Sequence, residues 1–318
     1  MRRRTILLAA LAPLPASAQG WAPTRPIRLI VPFAAGGSAD ATARMLAEPM
    51  SAALGQPVIV ENRPGGGATL GANLVARAAP DGHTILYGTP GPQIINPHLM
   101  RNLPYEAERD FAPISGVKRA PNLLAVHPSL NVATVAELLA LARARPGVLT
   151  FASSGIGSSS HLAGEMLKFL GQVDIIHVPY RGTGPAMTDL LAGTVSMALD
   201  TLSILLPPSR AGSLRALGVT TPRRSPLVPD LPALAEALPG FDAAPFNYLA
   251  APAGTPAPVI ARLNAVVVGI LNDPACRARM EALGEEATPS SPEDLAAAIA
   301  AEGARWRRVI EAAGIRAE

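Results

Sequence analysis

Short apolar runs, each cut off by glycine and followed by residues at helical spacing, recur along this chain. Ile27 to Val31 is rich in β-branched residues and almost uniformly apolar, the pattern of a strand covered on both faces. Pro32 closes it. Gly36-Gly37 permit a tight turn, Ser38 or Asp40 is placed to cap a helix, and Leu46, Met50 and Leu54 follow at helical spacing. Pro49 falls inside that helix and predicts a bend or interruption. The device repeats with a strand over Pro57 to Asn62, the turn Gly65-Gly66-Gly67 and a helix running to Ala79. It repeats again with a strand over His83 to Tyr87 and the turn Gly88-Thr89-Pro90-Gly91. Right-handed βαβ winding then puts all three turns at the carboxyl edge of one parallel sheet.

Leu103 to Val117 reads as an irregular connection. A second block of units starts near Leu123. It has a strand to Val126, a helix over Thr134 to Arg145 whose Thr134 and Glu137 fit a capping box, and a strand over Leu149 to Ala152. The last enters Ser153-Ser154-Gly155-Ile156-Gly157-Ser158-Ser159-Ser160-His161 and a helix over Leu162 to Phe169. Strands are expected over Val173 to Val178, Val195 to Leu199 ending at Asp200, Leu214 to Val219 and Phe246 to Ala250. Helices are expected at Ala186 to Leu191, Val259 to Leu271, Ala275 to Leu283 and Pro292 to Ala313. The pattern predicts an α/β protein of two lobes. Residues 25–122 and 246–318 make the first, 123–245 the second, and the cleft between them is the expected ligand site.

A helix amino end presents N–H groups without intrahelical partners and a partial positive charge, so it attracts an anion. One strand, glycine turn and helix usually only connects elements; the repetition of the device is what favours a ligand, here a small carboxylate. A handful of charge-assisted hydrogen bonds, each worth roughly 1.5 to 3 kcal/mol, is enough for the roughly 8 kcal/mol of a micromolar ligand. Recognition without a buried arginine is therefore expected.

Composition adjusts this picture at the amino end. Met1-Arg2-Arg3-Arg4, a short apolar stretch and Pro15-Ala16-Ser17-Ala18 read as a secretory leader over residues 1–18, too short to span a bilayer. Sec and twin-arginine export both stay open. The full chain has 27 Lys and Arg against 24 Asp and Glu; removal of the leader's three arginines brings the net charge from +3 to zero. With no basic stripe interleaved with aromatics, nucleic acid is not an expected partner. Cys276 is the only cysteine, which excludes a disulfide framework within the chain.

Several chemistries fail on spacing. In Gly65-Gly66-Gly67-Ala68-Thr69-Leu70 a leucine stands where a dinucleotide fingerprint needs its third glycine, no Walker lysine follows a glycine loop, and Gly-x-Ser-x-Gly is absent. His161 and Glu165, four apart, share a helix face, but no third metal ligand is evident. Asp40 is as compatible with a plain helix cap as with a ligand contact; Asp200 faces either an exposed sheet end or a cleft, the cleft being favoured by the convergence of neighbouring turns; and Arg181 reads as a surface residue.

The runs Val31-Pro32-Phe33-Ala34-Ala35-Gly36-Gly37-Ser38-Ala39-Asp40, Glu61-Asn62-Arg63-Pro64-Gly65, Ala79-Pro80-Asp81-Gly82, Ile95-Asn96-Pro97 and Ala152-Ser153-Ser154-Gly155-Ile156-Gly157-Ser158 resemble the Bug-type family of extracytoplasmic solute-binding proteins. So do His161-Leu162-Ala163-Gly164-Glu165, His177-Val178-Pro179-Tyr180-Arg181-Gly182 and Leu249-Ala250-Ala251-Pro252-Ala253-Gly254-Thr255-Pro256. The resemblance covers nearly the whole mature chain. It implies a two-lobe type II periplasmic-binding-protein fold and a carboxylate held between the lobes by backbone N–H groups, hydroxyls and water. By position, the implied ligand contacts are Phe33, Ala35, Ser38, Ala39, Asp40, Thr89 and Gln93 from the first lobe. The second contributes Ser153, Ser154, Ser158, His161, Tyr180 and Asp200. Family members usually have proline where Ala35 stands and often tryptophan where Phe246 stands.

The resemblance also implies a periplasmic location, no catalytic residues, no cofactor and no metal. Its implied partners are the integral membrane permease of a tripartite tricarboxylate transporter and a small organic acid, di- or tricarboxylate or related; a monomer is expected. Two other readings stay open: a sensing subunit for a membrane kinase, and a periplasmic hydrolase using Ser158 and His161.

Overall fold

The computed structural model describes residues 21–33, 35–36, 38–100, 102–155, 158–180 and 183–313. The leader expected over 1–18 and Arg181 lie outside the described residues. The chain runs β1 (Ile27–Val31), α1 (Ser38–Leu54), β2 (Val58–Asn62), α2 (Thr69–Ala76) and β3 (Thr84–Gly88). A π-helical turn (Gly91–Ile95), α3 (Asn96–Leu99), β4 (Phe111–Arg119), β5 (Asn122–Val126), α4 (Val135–Ala144), β6 (Thr150–Ser153) and α5 (Ser159–Gly171) follow. Then come β7 (Ile176–Pro179), α6 (Thr183–Leu191), β8 (Met197–Thr201), α7 (Leu202–Arg210) and β9 (Arg215–Val219). The chain ends with β10 (Phe246–Pro252), α8 (Ala257–Asn272), α9 (Pro274–Ala282), β11 (Glu286–Ala287) and α10 (Pro292–Ala313).

Two sheets organise these elements. The first has the order β11-β4-β10-β3-β1-β2, and the second β7-β6-β8-β5-β9. β1 pairs parallel with both β2 and β3, so the turns after all three leave the same edge. β6 likewise pairs parallel with β7 and β8, while β5 runs antiparallel to β8 and β9. Consecutive strands β4 and β5 lie in different sheets, and β10 returns to the first, antiparallel to β3 and β4. The result is a two-lobe α/β architecture of the periplasmic-binding kind.

Three apolar clusters follow from this. Val31, Leu46, Tyr87, Leu249 and Leu263 fill one face of the first sheet, and Leu123, Ala152, Leu190 and Leu202 one face of the second. The third runs through both lobes, joining Ile30, Leu86 and Tyr248 to Leu124, Phe151 and Met197, with Trp306, Val309 and Ile310 of α10 packed into it. α10 packs on β4 and also reaches α5 of the second sheet.

The sequence pattern misleads in four places. Residues 103–117, expected to be irregular, contain most of β4, because Ser115, Gly116 and Pro113 hide its periodicity; Pro113 is accommodated beside a register shift against β10. α1 continues through Pro49 to Leu54, since buried Leu46, Ala47, Met50 and Leu54 keep its inner face packed despite the missing N–H. α7 was disguised by Pro207 and Pro208, which lie in its last turn. β7 starts at Ile176 rather than Val173; Val173 and Ile175 are buried without joining the sheet.

Candidate functional site

Between the lobes lies a cleft of about 540 Å³, within the range of small-molecule sites. Three helix amino ends border it: Ser38 and Ala39 of α1, Gly67 and Ala68 before α2, and Ser158 and Ser159 at the start of α5. Phe33, Thr89, the π-helical turn, Ser154, Gly155, Pro245 and Asn247 complete the wall. None of the described lining residues is ionisable. The electrostatics that face a solute are therefore those of helix ends and hydroxyls.

Each turn is built for this by local chemistry. Before α2, Gly65, Gly66 and Gly67 all have positive φ (131°, 56° and 62°), and Ala68 continues the left-handed run at 73°. Glycine suits such a run; the alanine there is strained. Asn96 fastens the loop by donating to Gly67 O at 3.0 Å. Before α5, Ser158 accepts from the His161 backbone N–H at 3.2 Å as N-cap and donates to Gly155 O at 2.6 Å. Ser160 Oγ accepts from Ser154 N at 2.9 Å and lies 3.0 Å from the hydroxyls of Ser154 and Ser158. Thr89 Oγ1 is different: it is buried in the cleft wall and has no hydrogen-bond partner. A buried hydroxyl without a partner is costly, and a turn of the Thr89 side chain, which lines the cleft, would bring that hydroxyl to a solute oxygen.

Of the thirteen residues singled out from the sequence, the cleft wall gathers Phe33, Ser38, Ala39, Thr89, Ser154 and Ser158. The other seven lie beside or behind it. Ala35 is exposed in the turn before α1. The Asp40 carboxylate accepts from Gly36 N (2.9 Å), Arg44 Nε (3.0 Å) and Asn62 Nδ2 (3.0 Å), and these partners hold its pKa down to about 2. Gln93 faces the other side of the π-helical turn, where its amide oxygen accepts from the Tyr248 hydroxyl. Tyr180 donates to Asp189 at 2.6 Å, and burial together with that carboxylate pushes its pKa up to about 12. Asp200 is buried at the end of β8 and accepts from Thr201 N at 2.7 Å; burial raises its pKa.

Ser153 and His161 belong to a stack behind the Ser158 turn. Ser153 Oγ is 2.6 Å from His177 Nε2, and the His177 ring lies between Phe151 (4.8 Å) and His161 (4.1 Å). Burial pushes both imidazoles down to about 4, and the nearby Lys168 charge adds to the effect. His177 thus supplies the third group that the His161 and Glu165 spacing lacked: the three sit within 4.8 Å of one another. They do not converge as metal donors do. The two rings are only 24° from parallel, whereas a bound ion must lie in both ring planes, and Lys168 Nζ occupies Glu165 at 3.0 Å. The Ser158 hydroxyl engages the turn as described, and Ser153 makes a part-buried contact with the His177 imidazole.

The sequence did not point to Gly67, Ala68, Ile95, Asn96, Pro245 or Asn247 as site residues. The glycine run was visible as one of the repeated turns and as a failed dinucleotide fingerprint, but no residue of it was singled out as a ligand contact. Asn247 carries no local signal, since the antiparallel return of β10 alone brings it there.

Comparison with known proteins agrees with the geometry. The Rhodopseudomonas palustris protein Rpa4515, solved with adipate, superposes with a TM-score of 0.78 at 38% identity, covering 92% of this chain and 99% of that one. MatC from Rhodopseudomonas palustris, solved with bound malate, gives 0.74 at 36%, covering 91% and 99%. Protein BugT of Bordetella pertussis is 36% identical over 296 residues, 92% of this chain and 91% of that protein. The profile of the TctC family, the tripartite tricarboxylate transporter family receptor, matches residues 42–315. This chain is therefore a solute-binding receptor of the TctC family, of the Bug type.

Proposed function

We propose that this receptor captures a small organic carboxylate between its lobes in the periplasm and delivers it to the membrane permease of a tripartite tricarboxylate-type transporter. The observation that carries the reading is the convergence of three helix amino ends, from both lobes, on one cleft whose described lining has no ionisable side chain. Such a site favours an anion by oriented N–H groups and avoids the desolvation cost of a buried guanidinium. Relatives solved with adipate and malate support the same ligand class. In this reading residues 25–122 and 246–318 form one lobe and 123–245 the other. A solute touching both stabilises the closed form, which is the signal a permease can read. The leader over residues 1–18 provides export, and the receptor works as a monomer without catalysis.

Thermal unfolding of the mature chain across a panel of acids, with adipate and malate among them, tests this. An acid at about a hundred times its Kd adds roughly 2.7 kcal/mol, a clear rise in Tm. Stabilisation by cationic or neutral solutes alone, or recovery of a chemically altered acid after long incubation, would overturn the proposal.

A further inference from the structure

β4 carries Lys118 beneath the first two turns of α1, where it is 1% exposed. Its ammonium pairs with Glu285, from the turn after α9, and donates to the hydroxyls of Ser38 (2.7 Å) and Thr42 (2.9 Å). Glu285 accepts from Ser38 Oγ at 2.7 Å on one oxygen and from Thr42 Oγ1 at 2.9 Å on the other. Of these four side chains only Ser38 also lines the cleft.

Burying an ion pair costs several kcal/mol of desolvation, and an apolar pair of equal volume often gives the same stability. The location gives this pair another use. A hydroxyl has one proton to donate and accepts on its lone pairs. Ser38 Oγ already accepts from Lys118, so its proton turns either to Glu285, as observed, or outward to an oxygen in the cleft.

We infer that Lys118 is the positioning cation of the solute site, acting through Ser38. When a carboxylate settles at the start of α1, the Ser38 hydroxyl rotates its proton from Glu285 to the carboxylate, and the ammonium behind it strengthens that bond. Glu285 is the internal competitor that holds the proton while the cleft is empty. The cleft thus acquires the pull of a positive charge with no cation among its described lining. This inference rests on the carboxylate reading above.

The test is calorimetric titration of adipate, malate and succinate into the mature wild type and into Ser38→Ala, Lys118→Met, Glu285→Gln and the double variant Ser38→Ala/Lys118→Met. Folding of each is checked by circular dichroism. Ser38→Ala and Lys118→Met should each weaken binding about tenfold, in keeping with a charge-assisted hydrogen bond, and the double variant no more than either alone. Glu285→Gln should tighten binding, because the carboxylate then becomes the anion nearest Lys118 and the Ser38 proton loses its competitor. A purely structural pair predicts the opposite for Glu285→Gln, so equal weakening by Lys118→Met and Glu285→Gln, or additive losses in the double variant, would overturn the inference. Where Lys118→Met does not fold, Glu285→Gln is compared with Ser38→Ala/Glu285→Gln. Tightening in the first that vanishes in the second supports the relay, and any other pattern overturns it. Wild type that binds none of the three acids would instead remove the carboxylate reading, and this inference with it.

Discussion

His161 and His177 stack ring on ring, 4.1 Å apart, one in the first turn of α5 and the other on β7. The stack ties the helix whose amino end borders the cleft to the edge strand of the second sheet.

Acid should loosen that tie. Both imidazoles have a folded-state pKa of about 4, against the ordinary 6.5. The unfolded chain therefore binds more protons between those values, and stability is full above about pH 6.5 and falls as pH drops toward 4. The groups facing the stack are Glu165, Lys168 and Ser153; burial is the main cause of the depression, and for His161 the facing His177 and then Lys168 add to it, for His177 Lys168 alone. Allowing for the partial exposure of His177, the pair accounts for on the order of 3 kcal/mol. Chemical denaturation at pH 7, 5.5 and 4.5 should show the decline, and His177→Gln should flatten it. The Asp40 carboxylate works in a lower window, its contribution being lost only as pH falls from about 4 toward 2.

Thr89→Val separates binding from folding. The substitution is nearly isosteric and removes a buried hydroxyl that has no partner, so Tm should hold or rise slightly. Affinity for the stabilising acid should fall about five- to tenfold, the worth of one hydrogen bond. Unchanged affinity would take Thr89 out of the ligand's contacts.

Gly164→Ala tests how tightly α5 is seated. A Cβ at Gly164 would fall 2.1 Å from Phe151 Cε2 and 2.4 Å from its Cδ2, and Phe151 is itself stacked on His177. With the ring unable to swing away, the variant should lose about 1 to 3 kcal/mol, read as a drop in Tm with the denaturation m-value unchanged.

Asp40→Ala should destabilise the chain by about 1 to 3 kcal/mol, because it removes the acceptor of the Gly36 N–H and the carboxylate that joins Arg44 to Asn62, which keep only their own contact and the Asn62 bond to Phe33 O. Its effect on acid binding should be smaller than that of Ser38→Ala, since the carboxylate's observed partners are backbone and side chains rather than open cleft. A variant that keeps its Tm but loses binding would make Asp40 a ligand contact instead.

Local pattern carried much of the fold. The apolar run Ile27 to Val31, the glycine turns after three parallel strands and the capping pair Thr134 and Glu137 are short-range features, and each appears in place: Thr134 Oγ1 accepts from Glu137 N at 3.2 Å, and Glu137 reciprocates toward Ala133 N. β4 escaped because its partners β10 and β11 are more than a hundred residues away, so its hydrogen bonds owe nothing to its neighbours in sequence. Distance in sequence also hid Lys118, which reads along the chain as half of a Lys118-Arg119 pair and becomes a buried cation only once Glu285 and Ser38 surround it.

By itself the sequence determined the strand–glycine turn–helix units and the class of the fold, because glycine, serine and φ preference act over a few residues. Tertiary structure alone decided which of those helix ends meet, that Thr89 stands in the cleft wall with its hydroxyl buried and unpaired, and that His177 stacks against His161. Those outcomes depend on how two sheets built from non-adjacent strands are set against each other, and no spacing along the chain encodes that packing.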